Sequence, residues 1–200
     1  MKEIRKVELE FKAVDNEENE LRISGYAARV NQPETYSYTE VIASGAFDKA
    51  DLSDVVLRYN HNDSFMVLAR TRNNSLKLNV DEKGLYIDAT LQDDITDHRN
   101  IFNAIKSGLI DKQSFAFVVD EDEYDYDTDT RTITKIGKVF DVSVVDQPFY
   151  NATDVQVASE NESFLDKRNE LRKEHEEQLE LERKQEELEL AKKKLLEKLG

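Results

Sequence analysis

Period-two alternation, broken at short intervals by turn residues, is the feature that most restricts what this chain can become. Val7, Leu9 and Phe11 alternate with Glu8, Glu10 and Lys12, which predicts a first strand over residues 1–13, a polar turn over 15–20 and a second strand over 21–30. Val55–Tyr59, Met66–Thr71, Ser75–Val80 and Gly84–Leu91 are further short runs. Two of the joints between them, Asn73-Asn74 and Asp81–Gly84, are rich in residues that favour tight turns. Such a meander predicts a mainly β fold with a few helices (α+β), its strands closed into a barrel that leaves no exposed edge.

Helical period is confined to three places. The Gly and Ser content around Ser44-Gly45 predicts a turn into a short helix over residues 46–52. Ile101, Phe102 and Ile105 define a helix from Asp97 to Ser107, capped by Thr96 or Asp97 and ended by Gly108. From about Glu160 the composition changes sharply: residues 161–200 hold 12 acidic and 10 basic side chains, no proline, and one glycine at the last position. That describes one long charged helix. Leu181, Leu188 and Leu195 recur every seven residues, but the positions between them are mostly polar, so a coiled-coil seam is weak. The expected organisation is a β domain over residues 1–158 and a charged helical tail over 159–200.

Composition excludes several functions. With 28 basic and 43 acidic residues the net charge is -15, and no basic stripe with interleaved aromatics interrupts it, so nucleic acid is not an expected partner. No apolar run approaches the roughly 18 residues that span a bilayer, and charges begin at the second residue, so neither membrane insertion nor export is expected. The absence of cysteine removes disulfides and thiol chemistry, leaving oxygen and nitrogen for any covalent catalysis. A hydrophobic content of 38% in 200 residues suffices for one modest core.

Three residues carry the candidate chemistry. Ser114 opens a strand that continues Phe-Ala-Phe-Val-Val119, and alternation gives it Ala116 as a small neighbour on the same face. Alone it is an ordinary strand-start serine, because a hydroxyl without a base is not a nucleophile. His61, one of three histidines, stands where Val55–Tyr59 gives way to a loop, from which an imidazole reaches a neighbouring strand end. The competing reading is a solvated loop histidine. Asp141 interrupts the face it shares with Val139, Ser143 and Val145; it is either the solvent side of an edge strand or a buried carboxylate needing a donor such as an imidazole N–H. A hydroxyl, an imidazole and an acid are the set that serine hydrolysis requires. Two other clusters fit blander roles: Asp93–His98 groups carboxylates with an imidazole but reads as a helix start, and Asp120–Asp129 reads as a solvated hairpin tip rather than a calcium loop, lacking its glycine and closing glutamate.

The segments Glu40–Phe47, Tyr59-Asn-His61-Asn62, Leu68-Ala-Arg-Thr71, Asp81–Leu85, Lys112-Gln-Ser114-Phe-Ala-Phe117 and Asp141–Tyr150 together resemble the prohead serine protease family of tailed bacteriophages, in family order. The resemblance implies a herpesvirus-assemblin-like closed β-barrel with His61 as general base, Ser114 as nucleophile and Asp141 as third member, and no cofactor. It departs at Ala69 and Ala116, where the family usually has glycine, and at position 141, where it often has glutamate. It implies action inside the assembling prohead, in the host cytoplasm, on scaffold protein or the scaffold-like arm of the capsid protein, and on the enzyme itself. Phage scaffold and major capsid proteins are then the expected partners, with a homodimer expected by analogy with the herpesvirus enzymes. The rival from another class is an inactive assembly protein with a helical scaffolding tail; an unrelated β-rich binding module would keep His61 and Ser114 far apart. For the oxyanion, backbone N–H groups near Ser114 and Arg70 are the candidates.

Overall fold

The computed structural model describes residues 2–7, 11–14, 20–35, 37–146 and 155–199. The turn expected over residues 15–20 falls mostly outside them. The chain forms two compact units, Met1–Ala152 and Thr153–Gly200.

The first unit is mainly β, with eleven described strands in two sheets. The smaller sheet is an antiparallel ribbon of β2 (Phe11–Val14), β3 (Leu21–Arg29), β9 (Gly84–Leu91) and β8 (Leu76–Asp81), in the order β2-β3-β9-β8. In β9, Leu85, Ile87, Ala89 and Leu91 are buried while Tyr86, Asp88 and Thr90 are not, which is the alternation of a sheet with one face on a core. Gly84 starts this strand at φ +140°, and a Cβ there would overlap the Ala28 carbonyl oxygen, so only glycine fits. Helix α1 (Thr96–Lys106) packs on β2, β3 and β9 through His98, Ile101, Phe102 and Ile105, one apolar stripe at helical spacing. Its N-cap is Ile95, without a side-chain cap, so neither expected capping residue serves; Gly108 does follow it at φ +75°.

The larger sheet is built on the hairpin of β10 (Lys112–Asp125) and β11 (Thr130–Val145). β1 (Lys2–Val7) lies antiparallel on the outer edge of β10. The other edge of β11 is shared by two short parallel strands: β5 (Thr39–Ile42) beside Thr130–Ile133, and β6 (Val56–Tyr59) beside Asp141–Val144. β4 (Glu34–Thr35) and β7 (Ala69–Arg70) complete it. Four register irregularities between Ala116 and Asp122 bend the hairpin.

Several expectations are corrected. The described strands form two sheets that are not closed into a barrel, so the expected closure is not shown. Residues 1–13 hold not one strand but β1 and β2, which belong to different sheets. The short helix expected over 46–52 is a run of turns, with Ala46, Asp48 and Ala50 N–H groups each bonded three residues back. The acidic run is also mostly strand: β10 continues to Asp125, and only residues 126–129 form the turn, where Asp125 accepts from the Asp127 N–H and Thr128 hydroxyl.

The second unit contains one helix, α2 (Val155–Leu199). Its described side chains are mostly exposed, including Leu179, Leu181 and Leu188. No helix among the described residues is long and apolar enough to cross a membrane.

Candidate active site

β6 delivers His61. After Tyr59 the chain turns sharply: Asn60 and His61 both adopt the left-handed region, at φ 53° and 54°, and the Asn62 N–H closes the turn on the Tyr59 carbonyl at 3.0 Å. Asparagine accepts that conformation readily, whereas histidine does so at a cost of about 1–3 kcal/mol, so the neighbours must hold it there. They do: the Asn60 N–H bonds the Val144 carbonyl at 3.0 Å, and the His61 N–H bonds Ser143 Oγ at 3.2 Å.

β10 delivers Ser114 and β11 delivers Asp141. Cross-strand pairing sets Ser114 opposite Ser143 and Ala116 opposite Asp141. The His61 ring bridges them, with Nε2 2.6 Å from Ser114 Oγ and Nδ1 2.5 Å from Asp141 Oδ1. The carboxylate only accepts, so Nδ1 carries a proton and Nε2 is left as the acceptor for the serine hydroxyl in the neutral ring. Burial alone would raise the Asp141 carboxyl, but hydrogen bonds from His61 and Ser143 and the charges of His61 and Lys2 outweigh it and hold it below its ordinary value. Asp141 is thus a buried, paired anion rather than the solvent face of an edge strand.

Ser143 was not among the sequence candidates. Its hydroxyl donates to Asp141 Oδ1 at 3.1 Å and lies 3.2 Å from His61 Nδ1. The signal for it was present: alternation sets Ser143 on the face of Asp141, one pleat away. Lys2 was missed too; its Nζ is 3.5 Å from Asp141 Oδ2, and only the pairing of β1 with β10 brings it there. Beside the same strand ends, Tyr59, Phe65, Ile101, Leu109, Ile110 and Asp146 line a cavity of about 560 Å³.

Arg70 is bonded to Asp54 at 2.8 and 3.0 Å. His98 is buried in α1, accepting the Gln92 N–H at 3.0 Å and donating to the Val67 carbonyl at 3.1 Å, so both ring nitrogens are occupied by backbone. Asp93 is bonded to Arg99. Among the described residues no cluster of His, Asp and Glu is arranged to hold a metal ion.

A second buried polar cluster lies on the other face of β1. Arg5 is bonded to Glu40, Glu3 and Tyr38, and Arg131 to Glu3, Glu40 and Asp122. Burial and the adjacent Glu40 push the Tyr38 phenol up to about 12.

No curated protein and no solved structure matches the chain. The family model of the caudovirus prohead serine proteases matches residues 7–167, which include β2–β11, the whole His61–Ser114–Asp141 arrangement and the start of α2. With that match covering most of its 200 residues, the chain belongs to the caudovirus prohead serine protease family.

Proposed function

We propose that the protein is a serine endopeptidase that cuts scaffold protein, or the scaffold-like arm of the capsid protein, and itself, inside the assembling prohead in the host cytoplasm. Family membership supports a protease role in phage maturation. The observation that carries the reading is the 2.6 Å approach of His61 Nε2 to Ser114 Oγ, with Asp141 on the opposite ring nitrogen. In the reaction, Ser114 Oγ adds to the scissile carbonyl carbon while His61 Nε2 takes its proton. The C–N bond then breaks, and His61 returns the proton to the departing amine; water repeats the sequence on the acyl ester. Asp141 holds the Nδ1 proton and balances the imidazolium. These side chains and water supply every step. Residues 1–158 form the protease domain in this reading, and 159–200 a scaffold-like or capsid-targeting appendage.

One observation favours a second reading, an inactive assembly protein with a helical interaction tail: Ser114 has no exposed surface. The two separate when purified protein is incubated with capsid and scaffold proteins and all masses are followed. Cleavage by the native chain, lost in Ser114→Ala at unchanged folding, supports the enzyme. Cleavage that persists in Ser114→Ala removes Ser114 as nucleophile, and co-assembly without any cleavage favours the scaffold.

A further inference from the structure

Beside the buried Ser114 lies β1, an edge strand that among the described strands pairs with β10 alone. Its register sets Lys6 opposite Ser114 and Ile4 opposite Ala116. The Ser114 hydroxyl lies 2.8 Å from the Arg5 carbonyl oxygen as well as 2.6 Å from His61 Nε2, yet it has one proton to donate. A proton given to Arg5 is not held toward His61, so β1 competes with the base for it. Further along the strand, Lys2 reaches Asp141. A polypeptide strand therefore already runs along the trio with a backbone carbonyl beside the hydroxyl, which is the placement a substrate adding to the sheet edge would need.

The charges that fasten β1 divide evenly. Glu3 and Arg5 belong to β1, while Glu40 and Arg131 belong to β5 and β11. Arg5 Nη2 lies 2.5 Å from Glu3 and 2.7 Å from Glu40, and Arg131 Nη1 lies 2.7 Å from Glu3 and 3.1 Å from Glu40. If β1 departs, Glu3 and Arg5 leave as one neutral pair, and Glu40 and Arg131 remain as another, so no buried charge is left without an opposite. The vacated edge then suits an extended segment with a basic side chain for Glu40 and, two residues earlier, an acidic one for Arg131. The pattern of residues 3–6, Glu then an aliphatic residue then Arg-Lys, recurs once in the chain, as Glu170-Leu-Arg-Lys173 in α2. Glu170, Leu171 and Lys173 are exposed there, so a stretch of this helix has little packing to lose on becoming extended.

We infer that β1 is a displaceable occupant of the substrate-strand site, and that the Glu170–Lys173 segment of another copy's tail enters in its place and is cut between Arg172 and Lys173. This rests on the protease reading above. Ser114 Oγ adds to the Arg172 carbonyl carbon, the bond to the Lys173 nitrogen breaks, and His61 passes the serine proton to the freed amine. Water then hydrolyses the ester, leaving a carboxylate on Arg172.

The full chain bearing Lys2→Cys and Val118→Cys tests this, since the two positions are register partners and the sequence has no other cysteine. The probe is a synthetic peptide of residues 167–176, followed by mass. Reduced protein is expected to cut it after Arg172, and disulfide-locked protein roughly tenfold more slowly or less, because the lock removes the binding-competent fraction. The peptide with Arg172→Met is expected to stay intact. Equal rates in locked and reduced protein overturn the displacement of β1, and cleavage elsewhere in the peptide, or none, overturns the assigned target. Either failure, with Ser114-dependent cleavage of capsid or scaffold protein retained, leaves the protease reading standing; loss of that cleavage as well sinks both.

Discussion

Replacing Asp141 by Asn removes one charge from a site the structure defines closely. The amide keeps the volume but offers one acceptor and one donor in place of two acceptors, so packing around this buried residue is preserved while the charge and one acceptor are lost. With the imidazolium and carboxylate charge centres about 4 Å apart and an effective dielectric near 20, the lost attraction is roughly 4 kcal/mol, equal to about three decades in rate if it is fully developed in the transition state. Ser143 lessens the loss. Its Oγ lies 3.2 Å from Nδ1, close enough to accept that proton and keep Nε2 free as a base. We therefore expect Asp141→Asn to slow single-turnover cleavage of capsid or scaffold protein by about 10²–10³-fold, less than His61→Ala or Ser114→Ala. Ser143→Ala alone should cost less than tenfold, and combined with Asp141→Asn it should cost more than the product of the two single effects, since either group alone holds the ring. Circular dichroism checks that each variant is folded. A wild-type rate for Asp141→Asn would remove the carboxylate from the mechanism, and strictly multiplicative effects would remove Ser143 as its substitute.

Three further outcomes follow from the packing. Glu40→Ala leaves Arg5 and Arg131 to share fewer buried partners and should lower stability by about 3–5 kcal/mol in chemical denaturation; a loss under 1 kcal/mol would contradict the account of the cluster. Gly84→Ala forces a Cβ into the Ala28 carbonyl at a positive φ and should cost about 3 kcal/mol or prevent folding, whereas an unchanged melting temperature would refute the close approach. Glu3, like Asp141, is held below its ordinary value: burial opposes this, but hydrogen bonds and charges of Arg131 and Arg5 prevail. Both carboxylates therefore add stability that is complete above their ordinary values of 4.5 and 3.8 and is lost as pH falls further, so the denaturation midpoint should drop between about pH 6 and pH 3; a rise would contradict the pairing.

What was legible in the sequence follows from the range of the interactions. β9 and α1 were readable because their patterns are local: alternation over Gly84–Leu91 and a stripe at Ile101, Phe102 and Ile105. The three site candidates were readable because each breaks a local rule, a carboxylate within an apolar strand being the clearest. That His61, Ser114 and Asp141 lie within hydrogen-bonding reach depends on β6 pairing in parallel with β11, a contact across more than 80 residues that no periodicity reports. The same limit applies to the expected barrel, since which strands share the edges of a sheet is a long-range pairing. The hydrogen bond between Ser114 and β1 was equally invisible, because it joins residues 5 and 114. The separation of β1 from β2 was hidden because one alternating pattern runs through both.

The most direct measurement is an acid quench during turnover of a capsid or scaffold substrate, with peptide mapping of the protein for an acyl ester. The geometry predicts an ester on Ser114 that accumulates in the native chain and is absent from His61→Ala. Turnover with no adduct at Ser114 and an unchanged rate in Ser114→Ala would contradict it.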